Sequence, residues 1–298
     1  PSALYHLNTC NRFGGDPAIG SWVNYGLWSE NENLPGYIVL SELAFPQGGS
    51  GNWSNGFLPA AYQGTPLRAS GTPILDLSPP AWKTRRHQRK NLDVLNQMNR
   101  RHQQLHPGHD DLAARIENYE LAFRMQSEVP QLMDVNKEPA AVRSAYGIGN
   151  RATDSFGRQC LLARRMAEAG VRFIELNYGN WDQHRNLKAG LERNCQATDQ
   201  PIAALLADLE KRDMLKDTLV VLASEFGRTP MAQGNGRDHH IKGYSIWLAG
   251  GGIKGGMTYG ATDELGYNAV ENVVTVHDLH ATMLHLLGID HLKFTFPF

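Results

Sequence analysis

The chain has 298 residues, enough for one large domain or two small ones with a sizeable buried core. Its 29 Lys and Arg balance 30 Asp and Glu, which removes any electrostatic argument for a nucleic-acid or membrane-surface partner. No apolar run approaches the roughly 18 residues of a membrane span, and Cys10, Cys160 and Cys195 fit neither a zinc motif nor a disulfide framework, so they read as free thiols.

The chain begins at Pro1 with no Met or signal segment, which reads as a processed start or a fragment. Residues 1–80 are rich in Gly, Pro, Trp, Asn and Ser and have little helical or strand period; short pieces such as Tyr37-Ile38-Val39-Leu40 read as extended. The aromatics Trp22, Trp28, Trp53, Phe57 and Tyr62 argue against disorder, so 20–80 reads as an irregular cap. At 84–105, Leu92, Leu95, Met98 and Leu105 recur at helical spacing. Pro107-Gly108 breaks that pattern, and a second helix starts near Asp110, giving a helical hairpin over 84–127. The basic cluster at 83–90 reads as a solvated helix face.

From residue 150 the pattern sharpens. A helix is predicted over 153–169, closed by Gly170, then a strand at Val171 to Leu176. Thr198 is placed to cap a helix at 199–212. Strands are predicted at 218–223, 244–249, 257–259 and 273–276, and a helix at 278–287. The glycine-rich stretch 250–256 lacks the Ser or Thr after Lys254 that a phosphate loop needs and reads as a turn between strands. Lys293 to Phe298 reads as a strand cut short. This order predicts a single α/β domain over 1–298, a mostly parallel sheet flanked by helices on both faces, with the cap and the hairpin as insertions.

Ligands of such sheets bind outside the carboxyl ends of the strands. The segments there carry Asp182 and His184, then Glu225, then Asp238, His239 and His240. Carboxylate with imidazole suits a divalent metal, zinc first, with manganese, calcium or iron as other candidates. Neighbours in an extended segment face opposite ways, so one of His239 and His240 is expected to point inward. Arg228, Arg237 and Lys254 are the cations available to neutralise an anionic substrate.

Several long motifs occur in order: Gly20-Ser21-Trp22-Val23-Asn24-Tyr25-Gly26-Leu27, Ser224-Glu225-Phe226-Gly227-Arg228-Thr229-Pro230, Gly236-Arg237-Asp238-His239-His240, Trp247 to Gly256, and His277 to Gly288. Together they resemble domain-of-unknown-function family 1501 over nearly the whole chain. That resemblance implies a sulfatase-like scaffold of the alkaline-phosphatase superfamily and a two-metal hydrolytic centre. It also implies a phosphate or sulfate ester substrate, small or polysaccharide, and a secreted or periplasmic location. Asp182, His184 and His239 or His240 look like the ligands of one metal. Glu225 stands where the second metal's Asp belongs, and Phe226 where its His belongs. The family's upstream segment, which carries another metal-binding Asp and the nucleophile, is not in this sequence. Pro1 to Cys10 looks like the helix that follows it, with Ser2 and Thr9 as the nearest hydroxyls. The competing expectation is a non-catalytic binding or structural protein on the same scaffold.

Overall fold

The computed structural model describes residues 2–41, 46–71, 73, 74, 77–106 and 110–297. Its centre is the apolar run predicted as extended. That run forms β1 (Tyr37–Ser41), buried at every position. β2 (Thr65–Arg68) and β3 (Phe173–Asn177) pair with β1 in parallel, in the order β2-β1-β3. The period of two divides β1 between two cores. Ile38 and Leu40 pack in a core with Leu161, Leu162 and Met166, while Tyr37 and Val39 pack with Ala18 and Trp53.

Eight helices surround these strands among the described residues. α1 (Ser2–Thr9) and α2 (Ile19–Leu27) precede β1. α3 (Arg85–Leu105) and α4 (Asp110–Met133) pair as the predicted hairpin, its break at Pro107-Gly108 lying outside the described residues. Of the apolar positions predicted on α3, Leu92 is buried, while Met98 and Leu105 are exposed. α5 (Ala140–Ala145) leads to α6 (Asp154–Glu168), and Gly170, at φ +85°, follows as the left-handed residue that ends it.

α7 (Leu187–Lys211) is far longer than the predicted 199–212. Thr198 is not its cap but sits inside it, donating through Oγ1 to Asn194 O at 3.0 Å. Thr198 and Pro201 mimic a helix start. The buried stripe Ala197, Leu205 and Leu209 extends back through Asn194 and Gly190, and burial of that face overrides the local signal.

The last hundred residues depart most from expectation. β4 (Val220–Leu222) does not extend the parallel ladder; it pairs antiparallel with β7 (Trp247–Ala249). Between them β5 (Gly227–Gln233) and β6 (Gly236–His240) form an antiparallel hairpin. β8 (Ala261–Thr262) and β9 (Ala269–Glu271) form another short ribbon. Residues 257–259 and 273–275 are not strands, and Val276 begins α8 (Val276–Leu286), capped by Thr275 and Asp278 in a reciprocal box. Met257, Tyr259, Val273 and Val274 are exposed, and β-forming residues with no neighbour strand make no ladder. Residues 294–297 are likewise not a strand; Phe294 packs edge-on against Trp22, 5.4 Å between centroids. The fold is therefore mixed α/β with a small parallel sheet. β4 still respects its two layers, because Val220 packs with the α6 core whereas Leu219 and Val221 pack with Val23 of α2 and Met283 of α8.

The parallel sheet carries one carboxylate, Glu175. Glu175 on β3 accepts from Tyr37 Oη at 2.5 Å and from Asn177 Nδ2 at 2.9 Å. Burial nevertheless raises its carboxyl above the usual range, because two donors do not replace full hydration. A raised native pKa means that Glu175's contribution to stability is complete below the unfolded carboxylate range and is lost as pH rises through the native value. Glu175→Gln is therefore expected to match or exceed the parent at about pH 8 and to lose its advantage at about pH 5. Urea midpoints at both pH values check this; a variant weaker than the parent by the same margin at each pH contradicts it.

Candidate metal centre

The site is built where β3 leaves the sheet and the β5–β6 hairpin folds back over it. The chain turns sharply at Asn180, which has φ +70°, a conformation that Asn tolerates. Gln183 is buried and donates through Nε2 to Asn180 O, which folds the loop over and presents Asp182 and His184 on its outer side. The hairpin turn then locks onto this loop. Arg237 N donates to Gln183 O at 3.1 Å, Leu187 N to Asn235 O at 3.1 Å, and Asn186 N to Asn235 Oδ1 at 3.0 Å.

Asp182, His184 and His239 converge as a result. The three contacts among Asp182 Oδ1, His184 Nε2 and His239 Nε2 are each 3.0 Å. They are the group of His, Cys, Asp and Glu side chains found close enough together to hold an ion among the described residues. Donor atoms sharing one ion at about 2.1 Å stand about 3.4 Å apart in a tetrahedron and about 3.0 Å apart in an octahedron. The observed triangle fits one ion by that measure. All three side chains are at least 38% exposed, so the face opposite the loop is open to a ligand.

Three residues with no metal-ligand chemistry hold the triangle, and the sequence reading missed the roles of all three. Gln233 Oε1 lies 2.7 Å from His184 Nδ1. An amide oxygen only accepts, so Nδ1 carries the proton and Nε2 turns its lone pair to the site. Phe226 stacks on the His239 ring at 4.2 Å and 29°. It supplies no ligand where the resemblance led one to look for a His, but it fixes the ring of a ligand. Arg228 donates to Asp182 Oδ1 at 2.5 Å, to Trp181 O at 3.0 Å and to Arg237 O at 3.2 Å. That clamp ties loop to hairpin, and the guanidinium beside Asp182 holds its carboxyl below the usual range, hence ionised at neutral pH. Asp182 Oδ1 therefore already has a cationic partner.

The remaining candidates go elsewhere. Asp238 Oδ1 lies 3.8 Å from His184 Nδ1 and accepts from His239 N at 2.7 Å. His240 alternates to the other face of β6, is buried, and lies 3.0 Å from Gly266 O. Glu225 stands outside the triangle, accepting from Ser224 Oγ at 3.2 Å. Arg237 donates to Thr229 O at 2.8 Å across the hairpin, and Lys254 is exposed in the glycine-rich turn. Thr9 is buried and donates to Tyr5 O at 2.8 Å.

The family model described as protein of unknown function, DUF1501, matches residues 1–298. The chain belongs to the DUF1501 family. No curated protein and no solved structure matches it. In this DUF1501 chain, Ser224 to Pro230 runs into β5 and Gly236 to His240 is β6, so the two motifs meet in the hairpin that carries His239. No described helix is long and apolar enough to cross a membrane.

Proposed function

We propose that this chain is a metal-dependent hydrolase of phosphate or sulfate esters, a single domain on a sulfatase-like scaffold. The observation that carries the reading is the 3.0 Å triangle of Asp182, His184 and His239. Its mixed carboxylate and imidazole donors favour zinc, then manganese or iron, over the all-oxygen shell that calcium takes. A metal held there would polarise an ester oxygen and acidify a bound water. The chain's own contribution is positional. Gln233 sets the tautomer of His184, Phe226 sets the plane of His239, and Arg228 keeps Asp182 ionised. Arg237 and Lys254 are assigned to the anionic oxygens of the substrate, and Glu225, Asp238 and His240 to the surroundings of the site. A secreted or periplasmic location goes with the resemblance.

The second reading is a non-catalytic binding protein on the same scaffold. It is favoured by Arg228, whose bond to Asp182 Oδ1 satisfies the very oxygen a metal needs. Turnover of 4-nitrophenyl phosphate and 4-nitrophenyl sulfate by the zinc-loaded chain separates the two. Hydrolysis that stops with chelator and in His239→Ala is the expected result. Metal bound without hydrolysis of either ester would select the binding protein.

A further inference from the structure

The even charge balance of the whole chain hides one local excess. α3 carries six Lys and Arg against the single carboxylate Asp93. Two of the six serve the hairpin itself. Arg85 and Arg89 stack on the Phe123 ring of α4 at 4.3 and 5.0 Å, and Arg89 also pairs with Glu120 at 2.6 Å and with Asp93 at 2.7 Å. Leu92 and Asn96 are buried on the same side, so these contacts fix which face of α3 looks at α4. α4 is the element that α3 packs against, and the opposite face of α3 is left to solvent.

That outer face is not simply polar. At about 100° per residue, Arg86, Lys90, Val94, Met98, Arg101 and Leu105 fall within about 120° of the circumference, along about 30 Å of helix. Val94, Met98 and Leu105 are each more than half exposed. Arg86, Lys90 and Arg101 are exposed as well, and none of them has an ion pair among the described residues. Asp93 stands at the edge of the arc, held by Arg89, so the stripe itself is free of carboxylate. Trp82, also exposed, stands just ahead of Thr84, whose Oγ1 caps the helix by accepting from His87 N at 3.3 Å. Apolar side chains scattered singly on a surface need no account. Three of them aligned with three unpaired cations form an amphipathic stripe of the kind that lies on an anionic, partly apolar surface. Nucleic acid would meet the cations and leave the apolar three in water. A lipid surface meets both. Its phosphates take the guanidinium and ammonium groups, while Val94, Met98 and Leu105 enter the acyl boundary and an indole such as Trp82 suits the headgroup level.

We infer that the outer face of α3 docks the protein on an anionic lipid bilayer, with Arg86, Lys90 and Arg101 on lipid phosphates and Val94, Met98 and Leu105 in the acyl boundary. The test is co-sedimentation of the full chain with vesicles of phosphatidylglycerol mixed into phosphatidylcholine, and with vesicles of phosphatidylcholine alone. Binding to the anionic vesicles is expected to exceed binding to the neutral ones at least about tenfold, and to fall when salt is raised to about 0.5 M. The double variant Arg86→Gln/Lys90→Gln should weaken it about 25-fold, about fivefold for each charge removed. Met98→Gln should weaken it about fivefold with every charge in place, which purely electrostatic attachment would not show. All three positions are exposed, so each variant should keep the parent's circular dichroism. Absence of binding to the anionic vesicles, equal binding to the neutral ones, or unchanged binding in the double variant or in Met98→Gln overturns the inference. So does polyglutamate or duplex DNA held more tightly than the vesicles, which would assign the stripe to an acidic macromolecule. Run in chelator, none of these outcomes depends on whether Asp182, His184 and His239 hold a metal.

Discussion

Arg164→Ala is expected to destabilise the fold by about 3–5 kcal/mol, the range for breaking a buried ion network from one side. Arg164 is 2% exposed and lies 2.8 Å from Glu138, 2.5 Å from Glu168 and 3.0 Å from Asp208. It joins α6 to α7 and to the turn before α5, while Tyr146 donates to Asp208 at 3.1 Å from the side. Burial alone would raise Glu138, but Arg164 and Arg165 outweigh it and hold the carboxyl below its usual range. A lowered carboxylate contributes stability above its unfolded pKa and loses it as pH falls through the native value. The variant's deficit should therefore be largest near neutral pH and shrink on acidification. Denaturant unfolding of parent and variant measures this directly; a deficit under about 1 kcal/mol contradicts the network's role.

Gly236→Ala is expected to weaken metal binding about 10–100-fold, although Gly236 is no ligand. A Cβ at that position would stand 2.2 Å from both the carbonyl carbon and oxygen of His184. Backbone cannot yield as a flexible side chain does, so the hairpin must move off the loop, and His239 moves with it. Gly234→Ala, in the same turn but with open space around it, is the control. It carries only the strain of φ +59° and should keep the affinity. Equal metal affinity in Gly236→Ala and parent would mean that the triangle does not depend on the close approach of these two segments.

Much of this was legible where local and global signals agree. α6 and the α3–α4 hairpin follow from apolar periodicity, Gly170 ends α6 as its position requires, and β1 shows only as a short apolar run in a segment with little period. The centre's three donors were within reach because Asp182 and His184 follow a strand and His239 alternates with His240. The hairpin that carries His239 was not. Gly227 to Gln233 holds Gly, Arg, Thr and Pro in place of a strand's apolar run, and it pairs because the whole ribbon lies against the 181–184 loop. Thr198 and Pro201 misled for the opposite reason: a good local start signal was overridden by a buried face that began upstream, at Gly190. Gln233, Phe226 and the clamp role of Arg228 carry no sequence signature. Each acts on a ligand that is distant in the chain, and only tertiary proximity reveals it.

The most direct test is zinc content of the purified full chain after dialysis, by inductively coupled plasma mass spectrometry, with His184→Ala and His240→Ala alongside. The account predicts near-stoichiometric zinc in the parent and in His240→Ala, with most of it lost in His184→Ala. Zinc retained in full by His184→Ala, or lost equally from His240→Ala, would contradict the assignment of the centre to Asp182, His184 and His239.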